Sequence, residues 1–401
     1  MLVKLTNQPL DYAWGSTTLI SDHFGLASTG EPMAEIWFGT HDGSPTQVVG
    51  LDISLHDLLL ARGKDARLPF LLKILAAEKP LSIQAHPNEE QAILGFATEN
   101  AAGLALTASN RNYKDDKPKP EFIIALSESF EALVGFADPR LIAEKFAEIL
   151  EATSSEKLTR VLTAWIAGLG KPNGTQKVFL DTLSSDDCDD QFITELIDAA
   201  EQCPSLVELI SHLNTHHDLD RGIVSSLLLN HVSLSKGEAI FVPAGMPHAY
   251  LSGLGVEVMI ASDNVLRGGL TPKHIDVAEL AKVLIFETTN PTPARVRKIA
   301  VGLEQFEIPT NEFNFYRAAV GSNNLLVDIN LPGDAVILCT SGAIAVSNSL
   351  GEREVIDRGE AAFLSDDARV FSLTGNGEAF IAITAKGYSS KSSFAGSHTP
   401  V

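Results

Sequence analysis

Short apolar runs, separated by Gly, Pro and Asp, dominate the first third of the chain up to about Phe136. Three of them are Met33–Phe38, Phe70–Ala76 and Phe122–Leu126, each of a length typical of strands. The pattern predicts a mainly β region. Lys73 interrupts the second run, and its side chain either extends to solvent or points into a polar cavity where it can hold an anion.

The pattern changes at Asp138, where an Asp-Pro pair can begin a helix and apolar residues then recur at helical spacing. Helices are predicted to continue to about Leu219. The supporting segments are Glu156–Leu169, Gln191–Ala200 and Pro204–Leu213, which Gly-, Asn- and Ser-rich turns connect. The sequence therefore predicts a helical subdomain inserted between two β regions.

Two later β regions resemble each other. The sequence Gly-Glu-Ala-x-Phe at 237–241 recurs at 359–363, and a Gly-x-Gly pair further on recurs at the same offset of 122 residues. At that offset Val370 replaces His248, so the second copy lacks an imidazole. We predict a β domain formed by residues 1–137 and 221–290, a helical domain 138–220, a second β domain 291–390 and a flexible tail 391–401.

The composition excludes several classes of function. The formal net charge of −21 disfavours nucleic acid and anionic lipid as partners, because both require basic patches. No apolar run reaches the ~18 residues of a membrane span, and the first residues lack the pattern of a signal peptide. Three cysteines without metal or redox spacing fit a reducing compartment. We expect a cytoplasmic monomer.

Residues 81–86 carry the most unusual pattern in the chain, because their polar side chains alternate with apolar ones just before Pro87. Ser82, Gln84 and His86 share one face of the predicted strand. Polar groups aligned at the end of a strand indicate a functional site. A solvent-facing strand of an antiparallel sheet is the alternative.

Two further segments place polar side chains on a strand. Lys119 and Glu121 share a face around Pro120, and His248 and Tyr250 share a face after the apolar run 239–242. Imidazole, carboxylate and amide groups together suit Zn²⁺. Spacing does not establish that these segments meet. The candidate ligands are Gln84, His86, Glu121 and His248.

A fourth segment, 257–273, mixes charge with glycine. Arg267 precedes a Gly-Gly pair, and its guanidinium can stabilise an oxyanion or a phosphate. A surface salt bridge with Glu257 or Asp263 is the alternative. We predict that the histidines near the end of the helical region are solvated surface residues: His212, His216 and His217.

In their order along the chain, these segments resemble type I phosphomannose isomerases. The matching motifs are Tyr12-Ala13-Trp14-Gly15, Pro32-Met33-Ala34-Glu35-Ile36-Trp37, Gln84-Ala85-His86-Pro87, Lys119-Pro120-Glu121, Pro247-His248-Ala249-Tyr250 and Ser262-Asp263-Asn264-Val265-Leu266-Arg267. The resemblance implies a mainly β fold of cupin-type jelly rolls, one catalytic and one degenerate and C-terminal, with an inserted helical subdomain. It also implies one Zn²⁺ per chain and a phosphosugar substrate, mannose 6-phosphate, which is converted to fructose 6-phosphate through a cis-enediol.

The resemblance assigns roles to individual residues. It implies the zinc ligands Gln84, His86, Glu121 and His248, the catalytic residues Arg267 and Lys119, and the substrate-binding residues Ser82, Lys73, Tyr250 and Glu257. One departure concerns Pro118, where the family commonly has His, so the general base has to be a metal-bound water, Glu257, Lys119 or another group. Two alternatives use the same residues: a cupin Fe(II) oxygenase and a non-catalytic sugar-binding cupin.

Overall fold

The computed structural model describes residues 1–322, 324–368 and 370–385. Over these residues the chain forms two compact units. The terminal unit comprises Met1–Gln8, Ile36–Lys73 and the chain from Arg295, and the central unit comprises Pro9–Glu35 and Ile74–Ala294. None of the described helices combines the length and apolarity that a bilayer crossing requires.

The strands, in chain order, are β1 Leu2–Thr6, β2 Glu35–Phe38, β3 Gln47–Val48, β4 Phe70–Ala77, β5 Gln84–Ala85, β6 Glu121–Ala125, β7 Ser129–Phe136, β8 Leu229–Ser235, β9 Ala239–Val242, β10 His248–Ile260, β11 Leu266–Arg267, β12 Val296–Ala300, β13 Leu303–Phe306, β14 Phe313–Val320, β15 Leu326–Asn330, β16 Ala335–Asn348, β17 Arg353–Asp357, β18 Ala361–Leu364 and β19 Val370–Thr384. The helices are α1 Leu19–Phe24, α2 Leu55–Ala61, α3 Glu89–Ala101, α4 Pro139–Ala152, α5 Glu156–Leu169, α6 Gly174–Ser184, α7 Asp190–Ala200, α8 Val207–His216, α9 Arg221–Ser226 and α10 Val277–Val283, with a 3₁₀ turn at Asp366–Ala368. The fold is therefore rich in sheet, as predicted.

Strand β10 organises the sheet of the central unit, because it pairs antiparallel with β5, β6 and β7. Its first residue, His248, lies opposite Gln84 of β5, and Met259 near its end lies opposite Glu121 of β6. Between these two halves stands Gly253 at φ 119°, a conformation that favours glycine. The two halves of β10 therefore pair with the strands that carry two candidate ligands, Gln84 and Glu121.

Helices α4 to α8 fall where the sequence predicted helical structure. Helix α9 lies instead at the start of the segment 221–290, which was predicted to be β, because its apolar residues Ile223 and Val224 pack in the core cluster of the helices. Asp138 caps α4 by accepting a hydrogen bond from the backbone N–H of Arg140. The predicted segment 156–169 is α5, and 191–200 lies within α7. Helix α6 lies within the predicted helical region but was not one of the segments named there. Its N-cap residue, Asn173, has a left-handed backbone and makes no side-chain capping bond. These helices bury their apolar faces in one core cluster.

The predicted repeat is confirmed by the backbone. Strands β9 and β18 begin 122 residues apart, and so do β10 and β19. The φ angles of Gly253 and Gly375 are 119° and 121°. In both copies a glutamate, Glu238 or Glu360, accepts a bond of 2.8 Å from the backbone N–H three residues earlier. Two related β units therefore occur in this chain.

The second copy lacks the polar groups of the first. Glu121 lies opposite Val242 in the β6–β9 pair, and Ala335 lies opposite Leu364, 122 residues later, in the β16–β18 pair. A methyl group thus stands where the first copy has a carboxylate. Because Val370 also replaces His248, the second copy cannot assemble the same ligand set.

The compact units group residues 36–73 differently from the predicted domains, which placed them in the catalytic β domain. The reason is strand pairing within the terminal unit. Leu5 of β1 is fully buried and lies opposite both Ala361 of β18 and Val48 of β3. β3 therefore extends the sheet that contains β18. The predicted tail 391–401 lies outside the described residues.

Candidate metal centre

Three buried side chains from separate segments converge in the central unit. His86 Nε2 lies 3.2 Å from Glu121 Oε1, and His248 Nε2 lies 3.1 Å from Glu121 Oε2. One ligand atom from each residue lies within 4.8 Å of the others. The fold thus brings together two imidazoles that are 162 residues apart (248 − 86). A divalent ion fits this arrangement.

The hydrogen bonds of the two imidazoles select which ring nitrogen carries the proton in the neutral form. The Nδ1 atom of His86 lies 2.7 Å from the carbonyl oxygen of Asn264, and that of His248 lies 3.1 Å from the carbonyl oxygen of Met246. Since a carbonyl only accepts, Nδ1 carries the proton and Nε2 presents a lone pair. Among the described groups, His86 Nε2 has no hydrogen-bond partner. The imidazole lone pairs and the Glu121 carboxylate are all acceptors, and a cation bound by all three residues would satisfy them.

Burial and charge keep these groups in the protonation states that a metal requires. Burial, followed by the positive charge of Lys119, lowers the pKa of His86 to about 4. Burial alone would raise the pKa of Glu121, but Lys119 and His86 overcome this effect and hold that pKa well below its usual range. At neutral pH the site therefore offers a neutral imidazole and a carboxylate.

Gln84 lies next to this triad through strand pairing. It is opposite His248 in the β10–β5 pair and opposite Arg267 in the β11–β5 pair. Side chains directly opposite in an antiparallel pair have Cβ atoms ~5 Å apart. The Gln84 Nε2 donates to Ser82 Oγ at 3.2 Å, which directs the amide oxygen to the other side. Gln84 is thus placed between the triad and Arg267.

The alternation of polar and apolar side chains along residues 81–86 has a structural explanation. Ile83 and Ala85 are buried in the core cluster that the helices of the central unit form. The polar face therefore turns away from the helices, and Ser82 and Gln84 line a cleft instead of open solvent. The interpretation as a functional site is supported, and a plain solvent-facing strand is not.

The cleft has a volume of about 490 Å³ and lies entirely within the central unit. Among the described residues that line it, the Lys and Arg side chains are Lys79, Arg267 and Lys273, and no Asp or Glu occurs. A chain with a net charge of −21 therefore has a locally basic cleft. Such a cleft attracts an anionic small molecule.

Two of these cations are partly withdrawn from water. Burial lowers the pKa of Arg267, and burial followed by the charge of Arg267 lowers the pKa of Lys273. Both shifts mean that the positive forms are less well solvated than in water and gain from an anion that enters the cleft. Arg267 thus faces the cleft, as its proposed role in binding an oxyanion or phosphate requires.

Several cleft residues escaped the sequence analysis. His216 and His217 line the cleft, because the end of α8 reaches its wall. His216 is also exposed, as predicted for a solvated surface residue, whereas His217 is half-buried. His217 Nε2 lies 2.8 Å from the carbonyl oxygen of Pro80. Lys273 could have been noticed in the segment 257–273. The rings of Tyr12 and Trp14, which also line the cleft, stack 5.8 Å apart.

The remaining predicted site residues lie outside the described lining of the cleft. Lys119 Nζ is 2.9 Å from Glu121 Oε1, as the alternation around Pro120 predicted. The Tyr250 hydroxyl donates to Glu257 Oε1 at 3.1 Å, and both residues are buried. Lys73 belongs to the terminal unit, where it does not extend to solvent. It is buried with Nζ 4.8 Å from the ring centre of Trp37.

Comparison with known proteins shows the family to which this chain belongs. Residues 2–138 match the model of the phosphomannose isomerase type I catalytic domain. The chain is 33% identical to the mannose-6-phosphate isomerase of Salmonella typhimurium over 398 residues, which covers 93% of this chain and 97% of that protein. The Escherichia coli enzyme of the same name is also 33% identical, with the same coverage. The chain belongs to the type I phosphomannose isomerase family.

A solved mannose 6-phosphate isomerase bound with zinc and yttrium has the same fold as this phosphomannose isomerase family member. The two superpose with a TM-score of 0.84 at 32% sequence identity, over 96% of this chain and 99% of the other. That relative binds zinc, and the triad of His86, Glu121 and His248 described above can hold a metal ion. Zinc, the predicted cofactor, is therefore supported.

Proposed function

We propose that this chain interconverts mannose 6-phosphate and fructose 6-phosphate through a cis-enediol, with zinc bound by Gln84, His86, Glu121 and His248. The observation that carries the proposal is the basic cleft, which reaches the triad at Gln84. An isomerase of this kind needs an electrophile near the reacting carbons and an anchor for the phosphate. The triad and the cleft offer both within one unit.

When bound, zinc would polarise the oxygens on the two reacting carbons as a Lewis acid. The other roles belong to side chains. Arg267 donates to the oxyanion that develops on the substrate, since its guanidinium stays charged at working pH. We propose that Lys119, whose charged Nζ lies 2.9 Å from Glu121, donates a proton to the substrate as a general acid. Glu257 or a water molecule accepts the proton from carbon, because Pro118 has no titratable group. Lys273 and Ser82 hold the phosphate.

The proposal also covers the type of β fold, the cellular compartment and the oligomeric state. We infer that both β units are cupin-type jelly rolls and that the terminal one is degenerate, which the loss of the ligand positions supports. The described cysteines are all free thiols, which suits a cytoplasmic protein. One chain supplies every proposed ligand, so a monomer suffices. A contribution of Lys73 to phosphate binding, and of Tyr250 and Glu257 to the pocket, stays a prediction.

A coupled assay that follows fructose 6-phosphate tests the reaction itself. We expect zinc-loaded protein to turn over mannose 6-phosphate without O₂. Turnover that requires Fe(II) and O₂ would indicate the oxygenase, and sugar binding without turnover would indicate the non-catalytic cupin. Membership of the isomerase family argues against both alternatives, and the proposed amide ligand Gln84 also argues against the oxygenase.

Replacing Lys273 by Ala should raise KM for mannose 6-phosphate by roughly 10-fold and lower kcat much less. A charge-assisted contact to phosphate is worth about 1.5 kcal/mol or more, and it is equally strong in substrate and transition state. Steady-state kinetics measure both constants. Lys282→Ala is the matched control, because Lys282 is an exposed lysine paired with Glu279 at 2.7 Å outside the cleft. An unchanged KM in Lys273→Ala would contradict the phosphate role.

A further inference from the structure

The side chain of Asn264 is fully buried, and both ends of its amide are hydrogen-bonded to one loop. Its Oδ1 accepts from the backbone N–H groups of Lys114 and Asp115, at 2.6 and 3.1 Å. Its Nδ2 donates to the carbonyl oxygens of Asp115 and Lys117, at 2.9 and 2.8 Å. The reversed amide would set donor against donor, so only this orientation satisfies every group.

The backbone of Asn264 serves a different partner. Its carbonyl oxygen accepts the Nδ1 proton of His86 at 2.7 Å. This bond selects the tautomer of His86 and sets the plane of the ring, so that Nε2 faces Glu121. One residue therefore holds a proposed zinc ligand through its carbonyl and the loop 114–117 through its side chain.

The loop 114–117 leads directly to Glu121. Pro118 and Pro120 each fix their own φ near −65°, which removes two of the backbone torsions between the loop and Glu121. Lys117 is only four residues from Glu121, so we expect a displacement of the loop to shift the carboxylate. The carboxylate of Asp115 adds a second connection, because it accepts from Ser262 Oγ at 2.8 Å and from the Asp263 N–H at 2.9 Å.

We propose that Asn264 is a positioning residue that fixes the placement of the ligands His86 and Glu121 relative to each other. The inference rests on the proposed zinc centre. The inference goes beyond the proposed zinc centre, because it assigns the relative placement of two ligands to a residue that contacts neither metal nor substrate. Asparagine suits the position because it offers two acceptor and two donor directions at a fixed separation.

Asn264→Asp tests this inference with little change in shape. The substitution sets a carboxylate oxygen against the carbonyl oxygens of Asp115 and Lys117. We expect zinc to bind about 10- to 100-fold more weakly, as measured by competition with a chromophoric chelator. With saturating zinc, kcat should remain reduced while KM stays near the wild-type value. A merely structural residue would lower the melting temperature without moving the zinc affinity.

Asn348→Asp is the matched control, in the terminal unit. Asn348 Oδ1 likewise accepts from two backbone N–H groups, those of Leu350 and Glu352, both at 3.0 Å. This variant should lower the melting temperature and leave zinc affinity unchanged. If Asn264→Asp does not fold, Ser262→Ala replaces it, since it removes one bond to Asp115 and should weaken zinc binding several-fold.

The outcomes separate this inference from the proposed function. Wild-type protein that binds no zinc would overturn both. Wild-type protein that binds zinc, with the folded Asn264 or Ser262 variant equal to it in zinc affinity and kcat, would overturn the positioning role alone. A loss of zinc affinity as large in Asn348→Asp would also overturn it, because the effect would then be one of general stability.

Discussion

Purified His248→Ala should contain no bound zinc, and its kcat/KM for mannose 6-phosphate should fall by more than about 100-fold. Loss of a residue that only orients a ligand already costs about 10- to 100-fold, and loss of a ligand costs more. The change also leaves Glu121 buried, with the Lys119 ammonium and the neutral His86 ring as its remaining close partners. Elemental analysis and steady-state kinetics on the same preparation measure both effects.

His231→Ala is the matched control for that experiment. His231 lies on β8 of the same unit and pairs with Glu131 at 2.9 Å, with 39% of its side chain exposed. Its removal should leave zinc content and kcat near the wild-type values. Full zinc occupancy in His248→Ala would show that His248 is not a ligand.

Arg267→Ala should lower kcat by about 100- to 1,000-fold and retain zinc. Removal of one donor to a developing oxyanion typically has an effect of this size. Arg267 lies opposite Gln84 but is not one of the convergent triad, so the metal has no reason to leave. Arg267→Lys should recover only part of the activity, because an ammonium lacks the planar fork of the guanidinium. Kinetics and zinc content again provide the readout.

Arg160→Ala is the control for charge, since Arg160 forms an exposed ion pair with Asp187 at 2.8 Å. It should behave like the wild type. If Arg267→Ala lost zinc while His248→Ala kept it, the two proposed roles would be exchanged. If Arg267→Ala changed only KM, the guanidinium would serve the phosphate and not the oxyanion.

Local patterns in the sequence predicted the features that depend on local rules. Alternation placed Gln84 and His86 on the polar face of a strand, and it placed Lys119 beside Glu121, where an ion pair of 2.9 Å now joins them. The strict offset of 122 residues predicted a second β unit, because turns that need glycine at positive φ recur with it. Local geometry determines these features, so a single sequence shows them.

Features that depend on long-range contacts were not accessible in the same way. The cleft takes its basic character from Lys79 and Lys273, which are far apart in sequence and ordinary as surface lysines. The grouping of residues 36–73 with the terminal unit depends on the pairing of β1 with β18. The bonds of Asn264 join the loop 114–117 to a segment about 150 residues later. No periodicity marks such contacts.

Titration of metal-free protein with zinc, while the coupled assay follows fructose 6-phosphate, tests the proposed metal-dependent isomerase most directly. We predict activity that rises linearly and reaches a plateau at about one zinc per chain, as a single ligand set requires. His248→Ala should show no such plateau. Full activity in metal-free protein, or no activity in the zinc-saturated wild type, would contradict the proposed metal-dependent isomerase.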